Sequence, residues 1–411
     1  MDRKKNVPKT RFQNYEDEWN IERLINIFGT IRNAFVGTAT PYYVEKGKFY
    51  LESNNVKNGK INYNSQIFIN DEFYEKQRDK WLKTNDIVMV QSGHVGHTAV
   101  IPEKLNNTAA HALIVFTDYK KEVNPHFLNY QFQSNGKRRE LDLISTGNTI
   151  KHILASDMKN FKMDFPILEE QSAIGSLFRT LDDLLAGYKD NLTNYQSLKA
   201  TMLSKMFPKA GQTVPEIRLD GFEGEWELRE INDIADNFQS GGTPKTNVQE
   251  YWDGDIPWIQ SSDLGINCLF EIKVQKSISE KGLENSSAKI IPKDSIAVVT
   301  RVGVGKLAVM RHEYATSQDF LSLSNLKSNI EFTAYLLYRL LQKEVNQLQG
   351  TSIKGITKVE LLSKKVLIPS LPEQQAIGAY FSNLDNLINS YREKISQLET
   401  LKKKLLQEMF I

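Results

Sequence analysis

The sequence predicts an α+β chain built twice. Two similar mixed α/β domains are separated by two long helices that form an antiparallel coiled coil, the whole making a pseudo-twofold internal repeat. Three observations carry this expectation. Residues 166–207 lie over residues 369–410 at an offset of 203 with no gap and 17 of 42 positions identical, far above chance. Each of these two segments holds an apolar seam at heptad spacing. The segments before them share short buried-strand patterns and loop motifs in the same order. The expected division is a first domain over 1–165, a first helix over 166–207, a second domain over 208–368 and a second helix over 369–411.

The helical segments come first, because their period is the clearest. Steps of seven from Ile174 give Ile174, Leu181, Tyr188, Tyr195 and Met202, with a companion series Phe178, Leu185, Leu192, Lys199 and Met206. The second copy reads Ile377, Leu384, Tyr391, Leu398 and Leu405, beside Phe381, Ile388, Ile395, Lys402 and Met409. A seam this long demands a partner helix, and the simplest partner is the other copy. Lysine interrupts both seams at the same slot. The drift of a straight helix against a 3.5-residue repeat predicts that Leu198 and Leu401 cover for Lys199 and Lys402.

The domains read as strand-rich. Asp86–Val90, Ala112–Phe116 and Ser295–Val299 are short buried-strand patterns. Asn124-Pro125 opens a helix running to about Gln133, with Asn as cap and Pro in the first turn, and Glu331–Asn346 is its counterpart.

Loops rich in small hydroxyls, glycine and single cations recur at matching places. Ser240-Gly241-Gly242-Thr243-Pro244-Lys245 in the second half corresponds to the loop around Thr38 in the first. After a central strand come Gln91-Ser92-Gly93-His94 and Thr300-Arg301, the latter running on to Lys306. Each domain then ends on a glycine-to-lysine turn, Gly147 to Lys151 and Gly350 to Lys354, and Lys137-Arg138-Arg139 adds a basic cluster. Glycine amides, hydroxyls and lysines suit phosphates, whereas amide, imidazole and guanidinium groups suit base edges. The candidate DNA contacts are therefore Thr38, Gln91, Ser92, His94, Arg138 and Lys151 in the first half. In the second they are Gly242, Thr243, Lys245, Arg301, Lys306 and Lys354. Arg301 and Gln91 are expected to read bases; Lys151, Lys245 and Lys354 are expected to hold phosphate.

Composition excludes several classes. The chain has 411 residues, with 52 Lys+Arg against 50 Asp+Glu, so blanket attraction to a polyanion is weak. Charge is nevertheless uneven: residues 1–160 carry 23 basic and 18 acidic side chains, residues 211–365 carry 18 and 21. No apolar run approaches the ~20 residues of a membrane helix. The basic start has no apolar block behind it, so no signal peptide is expected. Cys268 is the single cysteine, which excludes a disulfide framework and points to a reducing, cytoplasmic setting. Gly305-Lys306 lacks the Ser/Thr and the leading glycine of a phosphate-binding loop, and Asn124-Pro125-His126-Phe127 lacks the second proline of an adenine-methyltransferase motif. Neither a catalytic nor a metal site is expected. From the residues alone, a non-catalytic coiled-coil scaffold with two protein-binding heads stays open.

The chain resembles the specificity subunit of a type I restriction–modification system. The resemblance rests on Leu371-Pro-Glu-Gln-Gln-Ala-Ile-Gly378, its earlier copy Leu168-Glu-Glu-Gln-Ser-Ala-Ile-Gly175, Asp220-Gly-Phe-Glu-Gly-Glu-Trp226 and Gly241-Gly-Thr-Pro-Lys245 with Trp258. It implies two target-recognition domains, each reading one half of a bipartite site in double-stranded DNA. It implies a coiled coil that sets their spacing and docks two methyltransferase subunits. Restriction subunits would complete the complex. The resemblance also implies no cofactor on this chain, with S-adenosylmethionine and ATP with Mg on the partners. The first half departs from the pattern at Gln13–Trp19 and Gly37–Pro41.

Overall fold

The computed structural model describes residues 6–147, 149–347 and 355–411. The chain divides into two compact units, Met1–Lys189 with Glu393–Ile411, and Asp190–Arg392. Both long helices, Leu168–Lys205 and Leu371–Glu408, therefore contribute to both units.

Each unit is built on the same four-stranded antiparallel sheet. In the first, the strand order is Phe28–Asn33, Leu113–Tyr119, Ile87–Val90, Thr98–Val100. In the second it is Ala235–Ser240, Phe320–Leu326, Ser295–Val299, Leu307–Met310. The central strands Ile87–Val90 and Ser295–Val299 are buried on both faces, which is why they read as unbroken apolar runs rather than as alternation. A smaller sheet lies beside each, four-stranded around Lys48–Leu51 and three-stranded around Trp252–Ile259. A two-stranded ribbon joins the start of each unit to the approach of its long helix: Asn20–Arg23 with Lys162–Phe165, and Glu227–Glu230 with Lys365–Ile368.

The expected helix at Pro125–Gln133 forms, with the Asn124 side chain accepting the Phe127 amide at 3.0 Å. Its counterpart Ile330–Gln347 is capped in the same way by Asn329 on Phe332 at 2.9 Å. Around these caps lies a device repeated in both units. The Arg11 guanidinium makes two 2.7 Å bonds to buried Glu170, and Arg218 binds Glu373 at 2.8 and 2.7 Å. The next residue, Gln171 or Gln374, accepts the amide of the capping Asn and donates to the carbonyl of Pro166 or Pro369. One helix turn later comes Gly175 or Gly378. A Cβ there would lie 2.8 Å from Asn124 Oδ1 or 2.6 Å from Asn329 Oδ1, so only glycine allows the helix to lie against the cap.

Within each unit the long helices run antiparallel. In the first, Asp182 meets Lys402 and Phe178 stacks on Phe410 with ring centroids 5.7 Å apart. In the second, Tyr195 meets Tyr391 at 5.3 Å and Phe207 stacks on Phe381 at 6.1 Å. Ile174, Phe178, Leu181, Leu185, Ile377, Phe381, Leu384 and Ile388 are all buried, as the heptads predict, while Tyr188 and Tyr391 are half-buried. The helix ends are clamped by aromatic clusters: Phe410 against Trp19 and Phe127, and Phe207 against Trp226 and Phe332.

The seam lysines correct the sequence expectation. Leu198 and Leu401 are 37% and 43% exposed and do not fill the gap. Lys199 instead stays in the seam, 8% exposed, paired with Asp385, and its ammonium lies 5.4 Å from the centre of the Tyr335 ring. Lys402 pairs with Asp182 at 2.7 Å and lies 5.5 Å from the Tyr130 ring. Tyr335 donates to Asp385 at 2.7 Å and Tyr130 to Asp182 at 2.8 Å. A carboxylate across the seam neutralises the charge, so no apolar cover is needed.

Candidate nucleic-acid interface

In the first unit the strand Ile87–Val90 ends in a loop that holds three of the candidates. Gln91 accepts the Ile153 amide at 2.9 Å, Ser92 bridges to His152, and the Gly93 amide donates to the Lys151 carbonyl at 3.0 Å. Gly93 and Gly96, at φ 80° and 78°, permit the tight reversal between them. The fold thus brings Gln91, Ser92 and Lys151 side by side, although they are separated by sixty residues. His94 projects from the loop into solvent, its ring 6.4 Å from His97. Lys151 is exposed but held by Asp142 at 2.8 Å. Thr38 stands apart from this pairing, on an exposed loop tied to the smaller sheet through Gly37, whose carbonyl is 3.0 Å from His111 Nε2.

In the second unit a cleft of about 500 Å³ is lined by Ser240, Gly241, Arg301, Gln318, Thr357 and Lys358, among others. Arg301 is exposed at its mouth, on the loop between strands Ser295–Val299 and Leu307–Met310. The Ile356 amide donates to the Thr300 carbonyl at 2.8 Å, repeating the contact between Gln91 and Ile153. Thr243 donates to Gln318 at 2.6 Å, joining the Gly-Gly-Thr loop to the same cleft. Lys245 is exposed, and its carbonyl accepts from Trp252 Nε1. An exposed arginine beside an amide, two hydroxyls and a lysine is a donor and acceptor set suited to base edges and phosphate together.

Some candidates do not occupy the role their sequence suggests. Gly242 is buried, its amide donates to the Thr316 carbonyl at 2.8 Å, and a Cβ would lie 2.2 Å from Ser287 Oγ. Glycine is there for close packing, and its amide is not available to a phosphate. Lys306 is half-buried and donates to the Ser261 carbonyl at 3.1 Å. Of the basic cluster, Lys137 is 5% exposed and paired with Asp164 at 3.0 Å, Arg138 is half-buried and Arg139 is exposed. Lys354 lies outside the described residues. Among the described residues no group of three or more His, Cys, Asp or Glu could hold a metal ion. No described helix is long and apolar enough to cross a membrane.

Residues 40–194 and 223–400 match the family described as the type I restriction modification DNA specificity domain. The chain belongs to that family. A type I restriction enzyme specificity subunit of Methanocaldococcus jannaschii, MjaIX, is 29% identical over 46% of this chain and 44% of its own length. A second from the same organism, putative MjaX, is 21% identical over 98% of this chain and 95% of its own. The EcoR124I/EcoR124II specificity subunit of Escherichia coli is 29% identical over 44% of this chain and 46% of its own. The chain thus aligns with less than half the length of the first and third relatives and with nearly all of the second. The crystal structure of the type I system S subunit from M. genitalium superposes with a TM-score of 0.64, covering 98% of this chain and 99% of that one at 16% identity. That likeness shows a shared fold.

The cleft of the second unit also holds two residues that the sequence did not mark. Gln318 sits between two strands with no glycine or cation beside it, so nothing in the local pattern marks it. Lys358 follows Gly355-Ile356-Thr357 in the sequence, a signal that could have been read. Lys358 donates to the Phe238 carbonyl at 3.0 Å and so closes one wall of the cleft.

Proposed function

We propose that this chain is the non-catalytic DNA sequence-specificity subunit of a type I restriction–modification complex. Each domain reads one half of a bipartite site in double-stranded DNA, and the paired helices set the spacing and dock two methyltransferase subunits. Adenine methylation would use S-adenosylmethionine on those partners, with ATP and Mg on restriction subunits, in the cytoplasm. The observation that carries the reading is the duplication itself. One chain presents the same sheet, the same post-strand loop and the same closing backbone contact twice, and the loop side chains differ between copies: Gln91, Ser92 and His94 in one stand where the other has Thr300, Arg301 and Gly303. Two readers on one scaffold with different side chains at the same places suit a split, asymmetric sequence.

Arg301 and Gln91 are assigned to base edges; Lys245 and Lys151 to phosphate, Lys151 after release from Asp142. Co-expression with a candidate methyltransferase and methylation-aware sequencing of the host DNA tests the reading. A split motif that vanishes when this chain is omitted supports it. Its persistence without the chain refutes it.

A further inference from the structure

Between the body of the first unit and its helix pair lies an open pocket of about 690 Å³. Its charged lining is Lys57, Lys60, Arg138, Lys189, Lys402 and Lys403 against two carboxylates, Asp182 and Glu399. Asp182 is shared by Lys402 at 2.7 Å and Lys60 at 3.3 Å, and Glu399 is taken by Lys189 at 2.6 Å. Among the described residues, no carboxylate pairs with Lys57, Arg138 or Lys403. The pocket therefore keeps a strong positive excess, in the half of the chain that is basic overall.

The excess is built in by a specific element. Lys57 and Lys60 flank an Asn58-Gly59 turn at φ 50° and 82° in a short hairpin. Asn129 donates to the Gly59 carbonyl at 2.9 Å, the Asn58 amide donates to His97 Nδ1 at 3.3 Å, and a Cβ on Gly59 would lie 2.2 Å from Gln133 Nε2. The hairpin is thus pinned to the helix Pro125–Gln133, with both lysines lining the pocket and Lys60 reaching Asp182. The internal repeat supplies a control. At the offset of 208 the second copy has Gly265 and Cys268 where the first has Lys57 and Lys60, and at 203 it has Ala200 where the first has Lys403. Helix packing does not require these cations, since the second unit packs without them.

The pocket adjoins the loop that carries His94. His97, its ring 6.4 Å from that of His94, is held below its ordinary pKa by burial and then by the charges of Arg138, His94 and Lys57. We propose that this basic pocket grips backbone phosphates of duplex DNA flanking the first half-site, giving the first reader a sequence-independent hold that the second lacks. A protein partner fits less well, because interface cores are poor in lysine and rich in aromatics, and no aromatic residue lines the pocket.

The inference rests on the DNA-reading function proposed above, and its test separates the two. The full chain, assembled with its methyltransferase partner, is titrated against a duplex carrying the methylated bipartite motif over a range of salt. Lys57→Ala/Lys403→Ala is compared with wild type and with an exposed lysine control, Lys293→Ala. Both targets are exposed, so folding is preserved. Loss of two phosphate contacts lowers the slope of log affinity against log salt by about 2 and weakens all sequences alike, without changing the preferred motif. An unchanged slope in a wild-type background that binds its site overturns the pocket assignment alone. Loss of partner assembly with unchanged DNA affinity in the assembled fraction also overturns it, in favour of a protein-docking surface. Failure of wild type to bind any split motif overturns the underlying reading.

Discussion

Replacing Lys199 with leucine removes the cation from the middle of the second unit's helix seam and leaves Asp385 facing a nearly dry interface. Lys199 and Asp385 side chains are only 10% and 13% exposed, so water does little to replace the lost partner. Breaking a buried pair by removing one member costs about 3–5 kcal/mol. The new leucine recovers about 1.5–3 kcal/mol by burying apolar surface. Tyr335 still donates to Asp385 in both proteins and does not enter the difference. The net expectation is a loss of about 2 kcal/mol, which for a unit of this size is a fall in Tm of about 4–8 °C by calorimetry. Lys199→Leu/Asp385→Asn removes the stranded charge while keeping an acceptor for Tyr335, and it should return to wild-type stability or above. The other copy is an internal control. Lys402→Leu leaves Asp182 with Lys60 at 3.3 Å, so its loss should be clearly smaller. The reasoning fails if Lys199→Leu is neutral, if the double variant is as unstable as the single, or if Lys402→Leu costs as much as Lys199→Leu.

Three further outcomes are expected. Gly378→Ala and Gly175→Ala should destabilise despite the better helix propensity of alanine, because a Cβ meets the capping asparagine. Gly187→Ala, with nothing within 4 Å of its Cβ, should stabilise by up to about 1 kcal/mol; urea denaturation distinguishes the signs. His111 and His126 should titrate on opposite sides of the ordinary histidine value in a labelled-histidine NMR experiment. Glu52 raises the first, with burial opposing; burial and then Arg179 push the second down to about 4. The stability from His111 is therefore complete below about pH 6.5 and lost as pH rises through its folded value, whereas that from His126 is complete above about pH 6.5 and falls as pH drops towards 4. Arg301→Ala should relax sequence preference in one half-site, costing about 1–3 kcal/mol there, with the other half unchanged in methylation sequencing.

The heptads, the Asn124 cap and the buried strands could be read directly, because each is a local pattern in which a residue reports its own burial or its own backbone. Periodicity says which face of a helix is buried but not what covers it. Hence Lys199 and Lys402 looked like gaps, when the residues that neutralise them lie about two hundred positions away, at Asp385 and Asp182. The same limit hid how the loops come together. Gln318 joins Thr243 across seventy-five residues, and Lys151 comes beside Gln91 only through backbone pairing of loops. Gly242 misled for the converse reason: a glycine between small residues reads equally as an open phosphate cradle or as close backbone packing, and only its neighbours Ser287 and Thr316 decide.

The pattern of identity between the two copies follows the same physics. Glu170 and Glu373, Gln171 and Gln374, and Gly175 and Gly378 are identical because each answers to a fixed constraint: a bidentate arginine, an amide and a carbonyl on opposite sides of one side chain, or a gap too small for a Cβ. Asp182 and Asp385 are held in the same way by a lysine and a tyrosine. Where a position faces solvent, as at Lys57 and Gly265 or Lys403 and Ala200, no internal partner constrains it and the copies differ in charge. A chain built this way can alter what each head contacts without disturbing how the helices pair. The arginine-bound glutamates and the cap glycines should therefore tolerate almost no substitution, while the apolar seam positions accept similar side chains, as Leu185 and Ile388 already show, and the post-strand loops can exchange one donor set for another at little cost in stability.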